Sequence, residues 1–362
     1  MESITNYLNK ELVTDNIEKQ VNSIYGSVDL GYKNFLYGGF TIRNDKSSTL
    51  KKGNNSYTYP SVSGSFVFSE IADLSNLGLT FGKLRASWAK VGSDTDPYQL
   101  YRDYNSASYT VNGFPLGKIA SDVLLNEDLK PTSTYSYEFG IDLRFLNNRL
   151  NFDFGYFDSK TKDQIMRLPL SDATGYKFAM INAGEITNNG IELAVTGIPV
   201  KTRDFEWTAN VNLSKINNKI KYLHPDVDIY ELSAARWAGA SVVAKVGESY
   251  GSIIGQRFAR NDEGRVIYDE KGMPTYESGV SVLGNGNYDF TMGINNTFVY
   301  KEFTLGVLLD MKFGGDLYSM SAWNSYYNGT ATETLQGRDA WYASEQARKA
   351  GNIASGSWIP TG

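Results

Sequence analysis

Between Tyr135 and Ser214 the sequence changes character at every second residue. In the stretch 135–145 the positions Tyr135, Tyr137, Phe139, Ile141, Leu143 and Phe145 alternate with Ser136, Glu138, Gly140, Asp142 and Arg144. Beyond Asn147-Asn148, Leu150, Phe152, Phe154 and Tyr156 share one face and Asn151, Asp153 and Gly155 the other. The pattern recurs near 190–198. It returns at 205–214, where Phe205, Trp207, Ala209, Val211 and Leu213 oppose Glu206, Thr208, Asn210, Asn212 and Ser214. A period of two is that of a β-strand, and it sends the two sets of side chains to opposite faces of a sheet. Arms of about ten residues exceed the usual strand length of about five to six.

Two folds satisfy this pattern. One is an antiparallel transmembrane β-barrel, with lipid outside and a wet lumen inside. The other is a soluble antiparallel sheet with one solvated face, as in a β-rich glycan-binding or glycan-processing domain. The ionisable residues in mid-strand favour the barrel. Lys83, Arg85, Asp142, Arg144, Asp153, Asn210, Asp310 and Lys312 all fall opposite apolar positions and are expected to face the lumen. Leu150, Phe152, Phe154, Trp207, Val211, Leu305 and Leu309 are expected to face lipid.

In chain order, residues 1–20 read as a polar leader, helical or loop. Strands are expected over 21–320, with long loops at 91–130 and 215–287. Residues 321–362 read as a loop or an incomplete end with closing strands missing. Lys33-Asn34, Asn147-Asn148 and Lys301-Glu302 have turn chemistry, Pro60 is expected to open a strand, and a short helix is expected near 233–235. About ten strands of this kind, with loops this long, suit part of a larger barrel. Outer loops of such barrels are long.

Composition removes several alternatives. No run of 18 apolar residues is present, so there is no candidate transmembrane helix, which leaves strand-spanning barrels untouched. The chain of 362 residues has no Cys and one His, so thiolate and multi-histidine metal sites are excluded. The acidic cluster Asp262, Asp269 and Glu270 lacks the spacing of a calcium loop. A net charge of −5 argues against a nucleic-acid partner. His224, beside Pro225 and Asp226, has no placed nucleophile, and Ser61, Ser63 and Ser65 lie on a strand rather than in a nucleophile elbow. No catalytic residue, cofactor or metal is expected. The aromatic residues Tyr98, Tyr101, Tyr104, Trp323, Tyr326 and Tyr327 lie in loop-like stretches and are candidates for ligand contact. The first residues, MESITNYLNKELVTDN, lack the apolar core of an export signal. Either the protein is cytoplasmic or the chain is a portion of a longer one.

Several phrases resemble the SusC/RagA-type TonB-dependent outer-membrane transporters. LKPTSTYSYEFGIDLRFLNNRLNFDFGYFDSKTKDQI (129–165) is similar to a mid-barrel hairpin of that family. LPLSDATGYKFAMINAGEITNNGIELAV (168–195) resembles a family run carried here by Asn182, Gly184, Asn188, Gly190, Ile191 and Glu192. Further similar segments are YPSVSGSFVFSE, LRASWAKVGSD, VGESYGSIIGQRF and YDFTMGINNTFVYKEFTLGVLLDMKFGGDLY, in the family order. The resemblance implies the later part of a 22-stranded barrel with an N-terminal plug, in the outer membrane of a Bacteroidota-type bacterium. It further implies import of glycans or oligopeptides, energy from a TonB–ExbB–ExbD complex, and a SusD-like surface lipoprotein as lid. The expected surroundings are outer-membrane lipid and a glycan or peptide substrate. The signal, the TonB-box segment, the plug and the first and last strands are expected to lie outside this chain. The family's ligand pocket is variable, so the resemblance assigns no functional residue.

Overall fold

The computed structural model describes residues 16–100, 104–119, 121–235, 239–270 and 272–350. Its strands in chain order begin with β1 (Val21–Tyr32), β2 (Leu36–Ser47), β3 (Ser56–Val67) and β4 (Leu79–Ser93). The short strands β5 (Tyr104–Val111), β6 (Phe114–Ile119) and β7 (Val123–Leu124) follow. Next come the long strands β8 (Thr132–Phe145), β9 (Leu150–Pro169), β10 (Phe178–Lys201) and β11 (Phe205–Tyr222). A second set of short strands comprises β12 (Ile229–Ala235), β13 (Ala240–Lys245), β14 (Ser252–Gly255) and β15 (Ser281–Asn285). The hairpin β16 (Phe290–Tyr300) and β17 (Phe303–Phe313) precedes two helices, α1 (Met320–Tyr327) and α2 (Arg338–Lys349).

The main sheet runs β1-β2-β3-β4-β8-β9-β10-β11-β16-β17, with β7 added in parallel against β10. The β12-β13-β14-β15 sheet and the β5-β6 hairpin stand apart from it as smaller sheets. By internal packing the chain divides into two units. One comprises Met1–Asp73, Lys83–Gly140 and Ser159–Glu185, and the other Leu74–Gly82, Ile141–Asp158 and Ile186–Gly362.

Turn chemistry explains the tight connections. Lys33 and Asn34 take φ of 46° and 59° between β1 and β2, and Leu146, Asn147 and Asn148 take 54°, 56° and 65° between β8 and β9. Lys301, at φ 52°, leads the two-residue turn between β16 and β17. Positive φ matches the right-handed twist of the flanking strands, and Asn tolerates it better than other side-chain-bearing residues.

The structure differs from the sequence reading in five places, the first being that 215–287, expected as a long loop, holds the end of β11 and strands β12 to β15. Residues 233–235 belong to strand β12, not to a helix, and pair with β13 across a register shift at Glu231/Ser233. The tertiary pairing outweighs the local preference of Ala234 and Ala235. The stretch 91–130 contains the β5-β6 hairpin and β7 rather than unbroken loop. Beyond Phe313, where a loop is expected, α1 forms with Ser319 as its cap, its hydroxyl accepting from the Ala322 N–H at 3.1 Å, and α2 follows. Pro60 lies inside β3, opposite Ile42, rather than at its start. Strands β9, β10 and β11 have 20, 24 and 18 residues. That is well beyond the ~9–11 residues needed to cross a bilayer.

Buried apolar groups collect away from the tight turns. In the first unit Leu50, Leu100, Val123, Leu129 and Met180 form a cluster under the long loops. In the second, Ile220, Leu223 and Val243 are fully buried beside the β12-β15 sheet. Along the strands themselves large apolar side chains stand exposed, among them Phe139 at 54%, Leu305 at 60% and Phe303 at 78%.

Candidate functional site

Register turns the alternation into two faces. Across β1 to β4, Val28 stands opposite Phe40, Phe40 opposite Val62 and Val62 opposite Trp88. One residue away Ser27 meets Thr41, Thr41 meets Ser61, and Ser65 meets Arg85. In the second unit Trp207 pairs with Phe298 and Phe298 with Leu305, while Asn210 pairs with Asn295 and Gly293 with Asp310. These strands of the main sheet thus repeat an apolar face and a polar face.

The apolar face has limits. At the tight-turn end it closes in aromatic contacts: Tyr32 with Phe35 at 5.5 Å, Phe35 with Phe66 at 6.2 Å, and, in the second unit, Phe145 with Phe152 at 6.1 Å. Toward the long loops it turns polar. Asn44 donates to Thr58 Oγ1 at 2.9 Å, and Asn217 donates to Asn189 Oδ1 at 3.3 Å. Within the band one polar side chain intrudes, Asn296 on β16. Its Oδ1 accepts from the Trp207 indole N–H at 3.0 Å, and the Trp207 ring stacks on Phe298 at 5.8 Å.

The polar face holds most of the ionisable residues singled out from sequence. Lys83 and Arg85 line a groove of about 470 Å³ with Asp29, Tyr37, Ser63 and Glu138. Arg85 lies across the backbone of Gly140, where any Cβ would collide with its guanidinium. Arg144 reaches Asp142 Oδ2 at 3.4 Å and stands 4.5 Å over the Phe81 ring. Asn210 Oδ1 accepts from the Thr196 hydroxyl at 2.8 Å. Lys312 stands 5.4 Å over the Tyr288 ring, opposite Thr291, and Asp310 lies on the same face. Asp153 is half-buried on β9.

The aromatic candidates fall in separate elements. Tyr98 takes φ 61°, and its hydroxyl accepts from the Glu18 N–H at 3.1 Å. Tyr104 opens β5 and pairs with Ile119. Tyr101 lies outside the described residues. Trp323 and Tyr327 stack on each other within α1 at 5.1 Å, and Tyr326 is exposed.

Two clusters at the long-loop end were not singled out from sequence. In the first unit Arg43 Nε donates to Asp45 Oδ1 at 2.7 Å and Tyr59 donates to the same carboxylate. Nearby, Asp94 receives Lys19 Nζ at 2.7 Å, Ser47 Oγ at 2.5 Å and Thr49 Oγ1 at 3.3 Å. Burial pushes the Asp94 carboxyl up, but these donors and the Lys19 charge outweigh it and hold the group below the ordinary carboxylate range. On the same loops Lys51 is raised, chiefly by its hydrogen bond to Glu127 and the charge of Asp128.

The second cluster lies where β11 and β16 part company. Their ladder ends at Ser214–Thr291, yet β11 runs on to Tyr222. A cleft of about 690 Å³ opens there, lined by Asn188, Asn217, Asn218, Tyr250, Asn287 and Tyr288 among others. Asn218 donates to Asn188 Oδ1 at 2.6 Å and accepts the Tyr250 N–H at 2.7 Å, while Asn287 donates to the Tyr250 carbonyl at 2.7 Å. Gly190 lies beneath it, so tightly packed that a Cβ would meet the Lys215 carbonyl and come within 2.8 Å of the Phe157 ring. The doublets Asn188-Asn189 and Asn217-Asn218 were the sequence signal for this cleft. Among the described residues no cluster of His, Asp or Glu is arranged to hold a metal.

Comparison with known proteins fits these faces. Residues 2–260 match the family described as TonB dependent receptor-like, beta-barrel. TonB-dependent receptor P3 of Formosa agariphila is 26% identical over 350 residues, which cover 90% of this chain and 35% of that protein. TonB-dependent receptor SusC of Bacteroides thetaiotaomicron is 24% identical over 318 residues, covering 82% of this chain and 31% of that one. In fold the chain resembles the RagAB peptide transporter structure with a TM-score of 0.69 at 21% identity, covering 80% of this chain and 33% of that chain. The chain therefore spans about a third of the length of these relatives. No enzyme family is indicated by these matches. With its strands, its two-faced register and this family match together, the chain belongs to the TonB-dependent receptor-like β-barrel family.

Proposed function

We propose that this chain forms the later barrel portion of a transporter that imports glycans or oligopeptides across the outer membrane of a Bacteroidota-type bacterium. The observation that carries this reading is the register: apolar side chains exposed along one face of the main sheet, and Lys83, Arg85, Asp142, Asn210 and Asp310 along the other. Lipid satisfies the first face and a water-filled lumen the second. In this reading the tight turns face the periplasm and the long loops face outward, because outer-membrane barrels have short periplasmic turns and longer external loops. The likeness to SusC and to the RagAB peptide transporter supports a SusD-like lipoprotein over the loop end and energy from a TonB–ExbB–ExbD complex. Coupling to the TonB–ExbB–ExbD complex belongs to the N-terminal part of such transporters. The barrel strands do no bond chemistry. They hold the bilayer face rigid and offer polar groups along the path of a hydrated solute.

The test is uptake of labelled oligosaccharides and oligopeptides by cells that bear the full-length protein. Uptake of one class that stops when TonB is deleted or the proton gradient is collapsed is the expected result. Uptake unaffected by either treatment, or none of either class, would refute the proposal.

A further inference from the structure

We infer that the asparagine cleft between the diverging ends of β11 and β16 binds a neutral, hydroxyl-rich ligand, namely an uncharged oligosaccharide. The inference rests on the transport reading above and selects between its two substrate classes. Side-chain amides dominate the polar lining. Each amide carries a donor and an acceptor at one terminus, the pairing that adjacent sugar hydroxyls need. The cleft's internal hydrogen bonds fix these amides in place: Asn218 is held by Asn188 and the Tyr250 N–H, and Asn287 by the Tyr250 carbonyl and the Asn285 side chain, whose Oδ1 accepts the Asn287 N–H at 3.0 Å. Groups held this way lose little freedom on binding.

Tyr250, 44% exposed, supplies flat apolar surface beside the amides, and Tyr288 adds a ring that it shares with Lys312. An aromatic face set beside fixed polar groups suits a pyranose, which is apolar on its C–H faces and polar at its rim. Charge points the same way. The lining has one cation, Lys215, and one carboxylate, Asp289, so neither an anionic nor a cationic ligand is favoured. A peptide would ask for a run of free strand edge and apolar side-chain pockets. The β11 edge left by the end of the ladder is three residues long, 215–217, before Ser249 and Tyr250 bond to Asn218, and among the lining residues Ile216 and Phe290 are the large aliphatic or Phe neighbours. The volume of about 690 Å³ accommodates a few sugar rings.

Binding is measured with the full-length protein in lipid nanodiscs, against an array of neutral and anionic oligosaccharides and a random hexapeptide library. Neutral glycans are expected among the bound probes. Tyr250→Ala and Asn287→Ala are each expected to weaken the best neutral glycan about tenfold, equivalent to ~1.4 kcal/mol. Tyr250→Phe should leave binding largely intact, since the ring and the backbone bonds persist. Glu263→Gln, in a remote turn, should leave it unchanged. Heat-modifiable gel mobility confirms that each variant is folded, and should Asn287→Ala fail to fold, Tyr250→Ala decides alone. Selective binding of anionic glycans or peptides, no neutral glycan bound, or neutral-glycan binding unmoved by the Tyr250→Ala substitution would overturn the inference. These binding measurements need no energy source, so their failure is distinct from a failure of TonB-dependent uptake.

Discussion

Asn296 offers a sharp test of the apolar face. It stands in the middle of the band, opposite Ala209 and Val307, with its Oδ1 taking the Trp207 indole N–H at 3.0 Å. If this face lies in lipid, no water can replace either partner. Trp207→Phe keeps an aromatic ring for the stack on Phe298 but strands the Asn296 oxygen. Asn296→Val strands the indole N–H instead. Leaving one such group unpaired out of water costs about 1–3 kcal/mol. The double substitution strands neither, and its cost reduces to the smaller ring, about 1 kcal/mol or less. The double variant should therefore be more stable than Trp207→Phe, with a coupling equal to the two stranding costs together, about 2–6 kcal/mol. Urea unfolding of the full-length protein from lipid vesicles, followed by tryptophan fluorescence and gel mobility, reads all four species. If water reaches this face, each single substitution should be nearly neutral and the two should add. Additivity within ~0.5 kcal/mol would refute the reasoning.

Two further outcomes follow from the same faces and from the loop end. Leu305→Arg places a charge on the apolar face and should cost about 2–4 kcal/mol near the bilayer centre, whereas Lys83→Leu on the polar face should be tolerated; equal costs in vesicle-unfolding titrations would contradict the assignment. The segment 16–20 is docked through Lys19 on Asp94 and through Ser48 N–H to the Gln20 carbonyl at 2.9 Å. Because the Asp94 carboxyl is held below its ordinary range, its contribution is present in full above the unfolded value near ~3.9 and fades only as pH falls through the lowered folded value. Amide exchange at Gln20 and Ser48 should thus show protection unchanged from pH 7 to pH 5, with Asp94→Asn losing it at neutral pH. Loss of protection in the wild type between pH 7 and pH 5 would contradict this.

The strands were legible in the sequence because a sheet between two different media writes its register into every residue. Tyr135–Phe145, Phe205–Ser214 and the β16-β17 hairpin show this alternation, and Asn147-Asn148 and Lys301-Glu302 mark turns beside them. What was not legible depends on distance along the chain. Lys19 meets Asp94 across 75 positions, and Asn188 meets Asn218 across 30, through the pairing of β10 with β11. The Asn doublets were visible, but nothing local says that they sit side by side on paired strands next to a cleft. Helix α2 was hidden for a different reason. Its sequence, RDAWYASEQARK, is polar overall, and its large apolar side chains, Trp341 and Tyr342, are adjacent rather than spaced three or four apart, so no run of helical spacing announces it. Residues 233–235 misled because a three-residue Ala-containing run carries almost no periodic information, and the pairing with β13 decided its state.

The most direct measurement is the depth and accessibility of single spin labels in bilayers. The chain has no Cys, so each position can be labelled alone within it. Labels at Leu305, Leu309, Val211 and Phe154 are compared with labels at Arg85, Asp142, Asn210 and Asp310, using oxygen as the lipid-phase probe and a neutral nickel chelate as the aqueous one. The first group should be relaxed by oxygen and the second by the chelate, alternating residue by residue along β11 and β17. Chelate access to both groups, or oxygen preference at Asn210 and Asp310, would contradict a sheet that stands between lipid and a wet lumen.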